Sequence, residues 1–248
     1  MQVHTTIDDQ IALVRLDRPP ANAMEPDFLH EIADSFEALD GNGDVRAVIL
    51  TGTGKVFSAG VDLKQLAGLD VAGQDRLVLA INRMCASVYC TLKPVIGALN
   101  GHAIAGGLVL ALSCDYRIAV EGGAQFGLAE VRVGVPFPEV PFAVVEEQLP
   151  RSALRQLIQF GDPVRVGAAL AMGAVDEIVE EHRLMERATE KARACLAIPS
   201  HGYAEIKRQQ RGAAIEKMRC LVKENRDKYL GGWINDEART AAARLLGA

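Results

Sequence analysis

One carboxylate and two clusters of small residues hold the chemical interest of this 248-residue chain. Glu130 lies within AQFGLAEVRVGVPF, surrounded by Phe126, Leu128, Ala129, Val131 and Val133. If those apolar neighbours bury it, desolvation disfavours the charged form and lifts its pKa toward the range useful for proton transfer. A loop glutamate on its own is ordinarily solvated, so this reading needs companions. Gly106-Gly107, in HAIAGGLVLALSCDYRI, offer one. Glycine costs ~1 kcal/mol relative to alanine inside a helix, yet the pair opens what reads as a buried helix. A helix starting at Gly106 leaves its first N–H groups unpaired at the positive end of its dipole. With no side chain in the way, a substrate oxygen can reach them.

FSAGVDL (57–63) offers the second. Ser58, Ala59 and Gly60 permit close approach to the backbone, and Val61 and Leu63 can face a cavity. An amide from the Ala59–Val61 turn would complete a two-donor oxyanion hole, in which losing one donor costs ~2.7–4 kcal/mol of transition-state stabilisation. Helix packing for the glycine pair and a strand-end bulge for Ser58–Gly60 stand beside these readings.

Other motifs carry less. His102 has neither a Ser-His-Asp order nor a metal-ligand spacing around it, and reads as a hydrogen-bonded structural residue. AVILTGTGKVFSAG has Gly52-x-Gly54 after a strand, but Phe57 stands where a dinucleotide loop wants glycine. Val56 follows Gly54-Lys55, so the hydroxyl of a P-loop is missing too. Glu139, in PFPEVPF, reads as an exposed helix-start residue with substrate contact as its alternative.

The elements that must position these residues alternate. IALVRL (11–16), AVIL (47–50), PVIGAL (94–99) and YRIAV (116–120) are short β-rich runs. Between them, Phe28, Leu29, Ile32, Phe36 and Leu39 recur at helical spacing after Pro26, and 73–92 reads as a second helix halted by Pro94. Interleaved strands and helices indicate an α/β core. From Pro150 the strand signals fade. Ser152 reads as an N-cap, Gly161 and Gly173 as stops, and 180–248 as helical, interrupted at Pro199 and Gly231-Gly232.

Composition narrows the function classes. With 49% hydrophobic and 24% charged residues, and a net charge of -5, the chain reads as globular without the basic footprint of a nucleic-acid binder. Anionic small ligands stay open, since backbone amides and a few lysines suffice to hold them. Five cysteines without CxxC spacing, three of them in apolar surroundings, read as small buried hydrophobes in a reducing compartment, not as a metal site or a disulfide frame. No signal peptide or stretch of ~20 apolar residues is visible, so a cytoplasmic protein without membrane association is expected.

Together LDRPPANAM, VFSAGVDL, KPVIGALNGHAIAGGLVLALSCDYRIA and QFGLAEVRVGV resemble the crotonase (enoyl-CoA hydratase/isomerase) superfamily in order and spacing. The resemblance implies a spiral of ββα turns over 1–195 and a C-terminal helical trimerisation region over 196–248. It also implies an acyl-CoA thioester substrate, with coenzyme A part of that substrate and no separate cofactor, and a homotrimer or a hexamer built from two trimers. Val61 and Gly106 match the two oxyanion-hole amides. Ala59, Gly60, Val61, Asp62, Leu63 and Lys64 match the loop that wraps the CoA adenine, with Lys55 and Lys64 as phosphate contacts; Gly106 and Gly107 join them in the site.

The hydratases of this family carry two catalytic glutamates. The later one matches Glu130, but the earlier falls on Val109, which cannot transfer a proton. One carboxylate suits the shuttling of a single proton between two carbons. With PPANAMEPDFLHEI, GLAEVRVG and LAIPSH, the chain is most similar to mitochondrial-type Δ3,Δ2-enoyl-CoA isomerases. A hydratase or another crotonase-type lyase or hydrolase, and a non-catalytic oligomer binding acyl-CoA or RNA, are the alternatives.

Overall fold

The computed structural model describes residues 1–62, 66 and 68–245. β1 (Val3–Asp8) and β2 (Ile11–Leu16) form an antiparallel hairpin, and α1 (Pro26–Gly41) carries the chain to β3 (Ala47–Gly52), parallel to β2. The chain then repeats one scheme: a strand in a large sheet, a shorter strand in a second sheet, and a helix. The first turn is β3, β4 (Val56–Ser58) and α2 (Val71–Tyr89). The second is β5 (Val95–Leu99), β6 (His102–Ile104) and α3 (Gly106–Leu112). The third is β7 (Tyr116–Val120), β8 (Gln125–Gly127) and the single-turn α4 (Glu130–Val133).

After α4 come α5 (Glu139–Gln148), α6 (Arg151–Leu154), which widens into a π-helical turn over Arg155–Phe160, β9 (Val164–Arg165), α7 (Val166–Ala171) and β10 (Glu177–Val179). The large sheet runs β1-β2-β3-β5-β7-β10 and the small one β4-β6-β8-β9. This is the spiral of ββα turns that the sequence resemblance implies.

The local chemistry explains the main elements. β3 and β5 are buried at every position, as parallel strands covered on both faces must be. In α1 the five residues picked out by periodicity are all buried, and Pro26 occupies the first turn. α2 starts at Asp70, whose carboxylate accepts from the Gly73 N–H at 2.7 Å.

Four features differ from the sequence expectation. β1 is a strand although only Val3 in it is buried, because an edge strand needs only one partner. β4, β6 and β8 have three residues each, too few to show a period. Strands persist beyond Pro150 as β9 and β10, the latter extending the large sheet beside β7. Ser152 is not a cap: α6 begins at Arg151, with Pro150 at the capping position. Gly161 and Gly173 do end their segments, with φ of 66° and 74°.

The C-terminal region is α8 (Leu184–Leu196), α9 (Ser200–Lys223) and α10 (Asp236–Leu245). α9 packs on α2 and α5, and a buried charge cluster ties it to the segment ahead of β7. Asp115, just ahead of β7, takes the Lys207 ammonium at 2.7 Å, the Arg211 guanidinium at 3.0 Å and the Val95 N–H at 2.8 Å. The Arg211 guanidinium also lies 4.5 Å from the centre of the Tyr89 ring. Burial lowers the Lys207 pKa, and Asp115 pulls it back. Among the described residues, no helix is long and apolar enough to cross a membrane.

Removing Asp115 would strand two buried cations. Asp115→Ala is therefore expected to lower unfolding stability by about 3–5 kcal/mol, read from denaturant midpoints; a loss under about 1 kcal/mol would make the cluster incidental.

Candidate active site

Strand pairing in the small sheet builds the site. β4, β6 and β8 run parallel and side by side, so their carboxyl ends lie at one edge. The segments leaving them are Ala59–Val61, Ala105–Gly106 and Ala129–Glu130. Open α/β sheets bind ligands at such edges, where loops diverge from aligned strands.

The first segment is braced by the residues after Arg18. The Asn22 amide donates to the Val56 and Phe57 carbonyls at 2.9 and 3.1 Å, and the Ala59 N–H donates to the Ala21 carbonyl at 3.0 Å. Met24 bridges to Val61 in parallel fashion: its N–H donates to the Gly60 carbonyl, and its carbonyl accepts from the Asp62 N–H. That pattern turns the Val61 N–H away from Met24. Gly60 sits at φ 77°, where a side chain is strained, and an added methyl would meet the Ile104 carbonyl at 2.8 Å and the Gly106 nitrogen at 2.9 Å.

The second segment turns sharply. Ala105 holds φ 50° and ψ -126°, a conformation that costs a non-glycine residue about 1–3 kcal/mol and is retained mostly at functional sites. The turn sends the chain directly into α3 with Gly106 as its first residue. A methyl on Gly106 would lie 3.9 Å from the Val61 nitrogen. The Val61 and Gly106 N–H groups are thus neighbours, and among the described residues neither donates to a backbone acceptor. Two such donors side by side, one of them at the start of a helix, can hold one oxygen carrying negative charge.

Both backbones border a cavity of about 300 Å³. Its wall includes Met24, Val61, Gly106, Val109, Glu130 and Val133, with Ile81 and Cys85 from α2 and Trp233 from the C-terminal region. Among the described lining residues Glu130 is the single carboxylate. The Glu130 residue as a whole is half-buried, but its Oε2 is fully buried with no hydrogen-bond partner. Burial pushes its pKa up to about 8, against the weaker opposing pull of its own backbone N–H. Cys85, also buried, has its thiol pKa pushed well above the ordinary range and stays neutral.

The other sequence candidates fall elsewhere. Ala59 lines the cavity, while Gly60 is buried behind it. Asp62 continues the loop, and Leu63 and Lys64 lie outside the described residues. Lys55 is exposed on the turn after β3, away from the cavity wall. Gly107 is not in the wall either: a methyl there would lie 2.2 Å from the Ser58 carbonyl oxygen, so close packing of α3 on β4 requires it. His102 accepts from the Gln125 N–H through Nδ1 at 3.2 Å, a strand-bracing role. Glu139 does not line the cavity; its carboxylate accepts from the Lys228 N–H at 3.0 Å. Val109 is in the wall, with nothing there to ionise. No cluster of three or more His, Cys, Asp or Glu suited to a metal occurs among the described residues.

Sequence reasoning missed Trp233 and the bracing role of Ala21–Met24. The second was foreshadowed by Asn22, a polar residue between two small ones that proves buried.

A family description, enoyl-CoA hydratase/isomerase, matches residues 6–227. The chain belongs to the enoyl-CoA hydratase/isomerase family. Human mitochondrial enoyl-CoA delta isomerase 1 is 30% identical over 210 residues, covering 84% of this chain and 70% of that protein. A short-chain-enoyl-CoA hydratase from Clostridium acetobutylicum is 34% identical, covering 75% of this chain and 71% of its own. The crystal structure of the human mitochondrial delta3-delta2-enoyl-CoA isomerase superposes with a TM-score of 0.90 at 28% identity, covering 100% of this chain and 97% of that one. This family member is thus a crotonase-fold enzyme with relatives bearing both names.

A folded-state pKa near 8, above the ordinary 4.5, means that protonated Glu130 favours folding; that contribution is complete below about 4.5 and lost as pH rises through about 8. Glutamine mimics the neutral form. Glu130→Gln should therefore match its parent in melting temperature near pH 4.5 and exceed it by at least ~2 °C near pH 9, measured by calorimetry across that range.

Proposed function

We propose that this protein moves the double bond of a 3-enoyl-CoA into conjugation, giving trans-2-enoyl-CoA. The observation that carries the reading is a solitary carboxylate, Glu130, in a cavity whose other described lining residues, Val109 among them, cannot transfer protons at neutral pH. Glu130 removes a proton from C2, and the electron pair delocalises through the C3–C4 double bond and the thioester carbonyl. The Val61 and Gly106 N–H groups hold the resulting dienolate oxygen. Glu130 then returns its proton to C4, which leaves the double bond between C2 and C3. One proton leaves and one arrives, so the carboxylate ends as it began.

Hydration makes a different demand: water must be held and deprotonated while a second group protonates the neighbouring carbon. Val109 supplies neither function. A base buried to a pKa near 8 is matched to the acidity problem at C2, because proton transfer is fastest when the base is nearly as basic as the working pH allows. The chemistry asks for no metal or redox group, and coenzyme A arrives with the substrate. The exposed Ile198 and Ile206 of the C-terminal region fit a homotrimer or a pair of trimers, a state that sedimentation equilibrium would read.

The direct test supplies 3-enoyl-CoA and follows the absorbance of the conjugated thioester. Glu130→Gln should lose about 10²–10⁴-fold in kcat while binding acyl-CoA within a few fold of the parent. In the parent, kcat/KM should rise with pH and level off above about 8, as the carboxylate becomes ionised. Rapid loss of the conjugated absorbance from trans-2-enoyl-CoA would mean hydration and overturn the assignment.

A further inference from the structure

Among the described residues, Trp233 is where the C-terminal region reaches the cavity. Between α9 and α10 the chain runs along α2 in the opposite direction, pinned at three points. The Asp227 carboxylate accepts from the Asn82 side-chain amide at 2.9 Å and from the Glu139 N–H at 2.7 Å. The Asp75 carboxylate accepts from the Gly231 N–H at 2.8 Å, and the Gln74 side-chain carbonyl from the Ile234 N–H at 2.9 Å. Gly231 and Gly232, at φ 87° and 146°, let the strap bend between the pins. Trp233 follows directly. Its ring is buried against the cavity, and its Nε1–H donates to the Pro136 carbonyl at 2.7 Å, which fixes the orientation of the indole.

The polar groups in the described cavity wall are the Val61 and Gly106 amides and the Glu130 carboxylate. Much of the rest of that wall is apolar side chain, Ile81, Cys85, Phe137, Pro141 and Trp233 among it, as an acyl tail requires. We infer that Trp233, held by the pinned strap, closes the tail end of this cavity and sets the longest acyl chain the protein accepts. The space is bounded, at about 300 Å³, so it accommodates an acyl chain of limited length. The inference rests on the acyl-CoA reading above, but not on isomerisation, because saturated acyl-CoAs bind without reacting.

Trp233 is the single tryptophan of the chain, so the unaltered protein carries its own probe. Free CoA and acetyl-, hexanoyl-, decanoyl- and hexadecanoyl-CoA are titrated in parallel by calorimetry and by tryptophan emission. Affinity should rise about fourfold per methylene buried up to a limiting chain length and then plateau. Emission should be unmoved by free CoA and acetyl-CoA, and shift once the tail reaches the indole. Trp233→Ala should carry the plateau several carbons further, whereas Trp233→Phe, which keeps a ring in place, should leave it near the parent length. If Trp233→Ala does not fold, the emission titration of the parent decides alone. Acyl-CoA binding at every length with silent tryptophan emission, or an unmoved plateau in a folded Trp233→Ala, overturns the role of Trp233 and leaves the acyl-CoA reading intact. Absence of any acyl-CoA binding overturns both.

Discussion

Because β4, β6 and β8 pair in parallel, three chain segments far apart in sequence must leave the small sheet at the same edge. All of the chemistry described above follows from that pairing. It brings the Val61 N–H within reach of the Gly106 N–H, and it puts Glu130 in the wall of the same cavity. A backbone amide has no side chain to aim it, so its direction is set by the strand or helix that contains it. The ladder is what aims these two.

Holding the arrangement requires local concessions. Ala105 adopts a backbone conformation ordinarily left to glycine, Gly60 a left-handed one, and Gly107 packs against the Ser58 carbonyl with no space for a methyl. A carboxylate oxygen is buried without a partner. Each would be a flaw in a purely structural region, and unsatisfied or strained groups persist where the surroundings over-determine them. Here the surroundings are the doubly buried strands β3 and β5, the Asn22 brace beneath β4, and the Asp115 cluster that holds α9 to the core. The strain and the reactivity have one origin: a site kept dry enough to raise a carboxylate pKa must leave some polar atoms unpaired until substrate arrives.

Much of this was legible in the residues. The five apolar positions of α1 announced its buried face, and the glycine pair at 106–107 announced an unusual helix start. The two glycines proved to serve different ends, however. Gly106 opens a path to its own amide, and Gly107 allows α3 to settle on β4; a sequence shows both only as missing side chains. Glu130 stood out because its neighbours are apolar, yet those neighbours alone could not show whether the carboxylate turns inward. Three-residue strands are beyond any periodic signal, so the small sheet that assembles the site was invisible as a sheet. Trp233 was out of reach for a related reason: it lies more than a hundred residues from every catalytic candidate, in a loop between helices.

The chain by itself therefore determined the inventory: one carboxylate in apolar company, glycines that free backbone donors, and the alternation of strands and helices; the family resemblance added that a valine stands where a second carboxylate would. Side-chain chemistry and local periodicity are properties of neighbours along the chain, and so can be read there. Tertiary structure decided which amides converge, that the Glu130 carboxylate loses its water, and that the C-terminal strap walls the cavity. Distance, desolvation and enclosure are relations between segments remote in sequence, and they come into being only when the parallel ladder and the helices around it are packed.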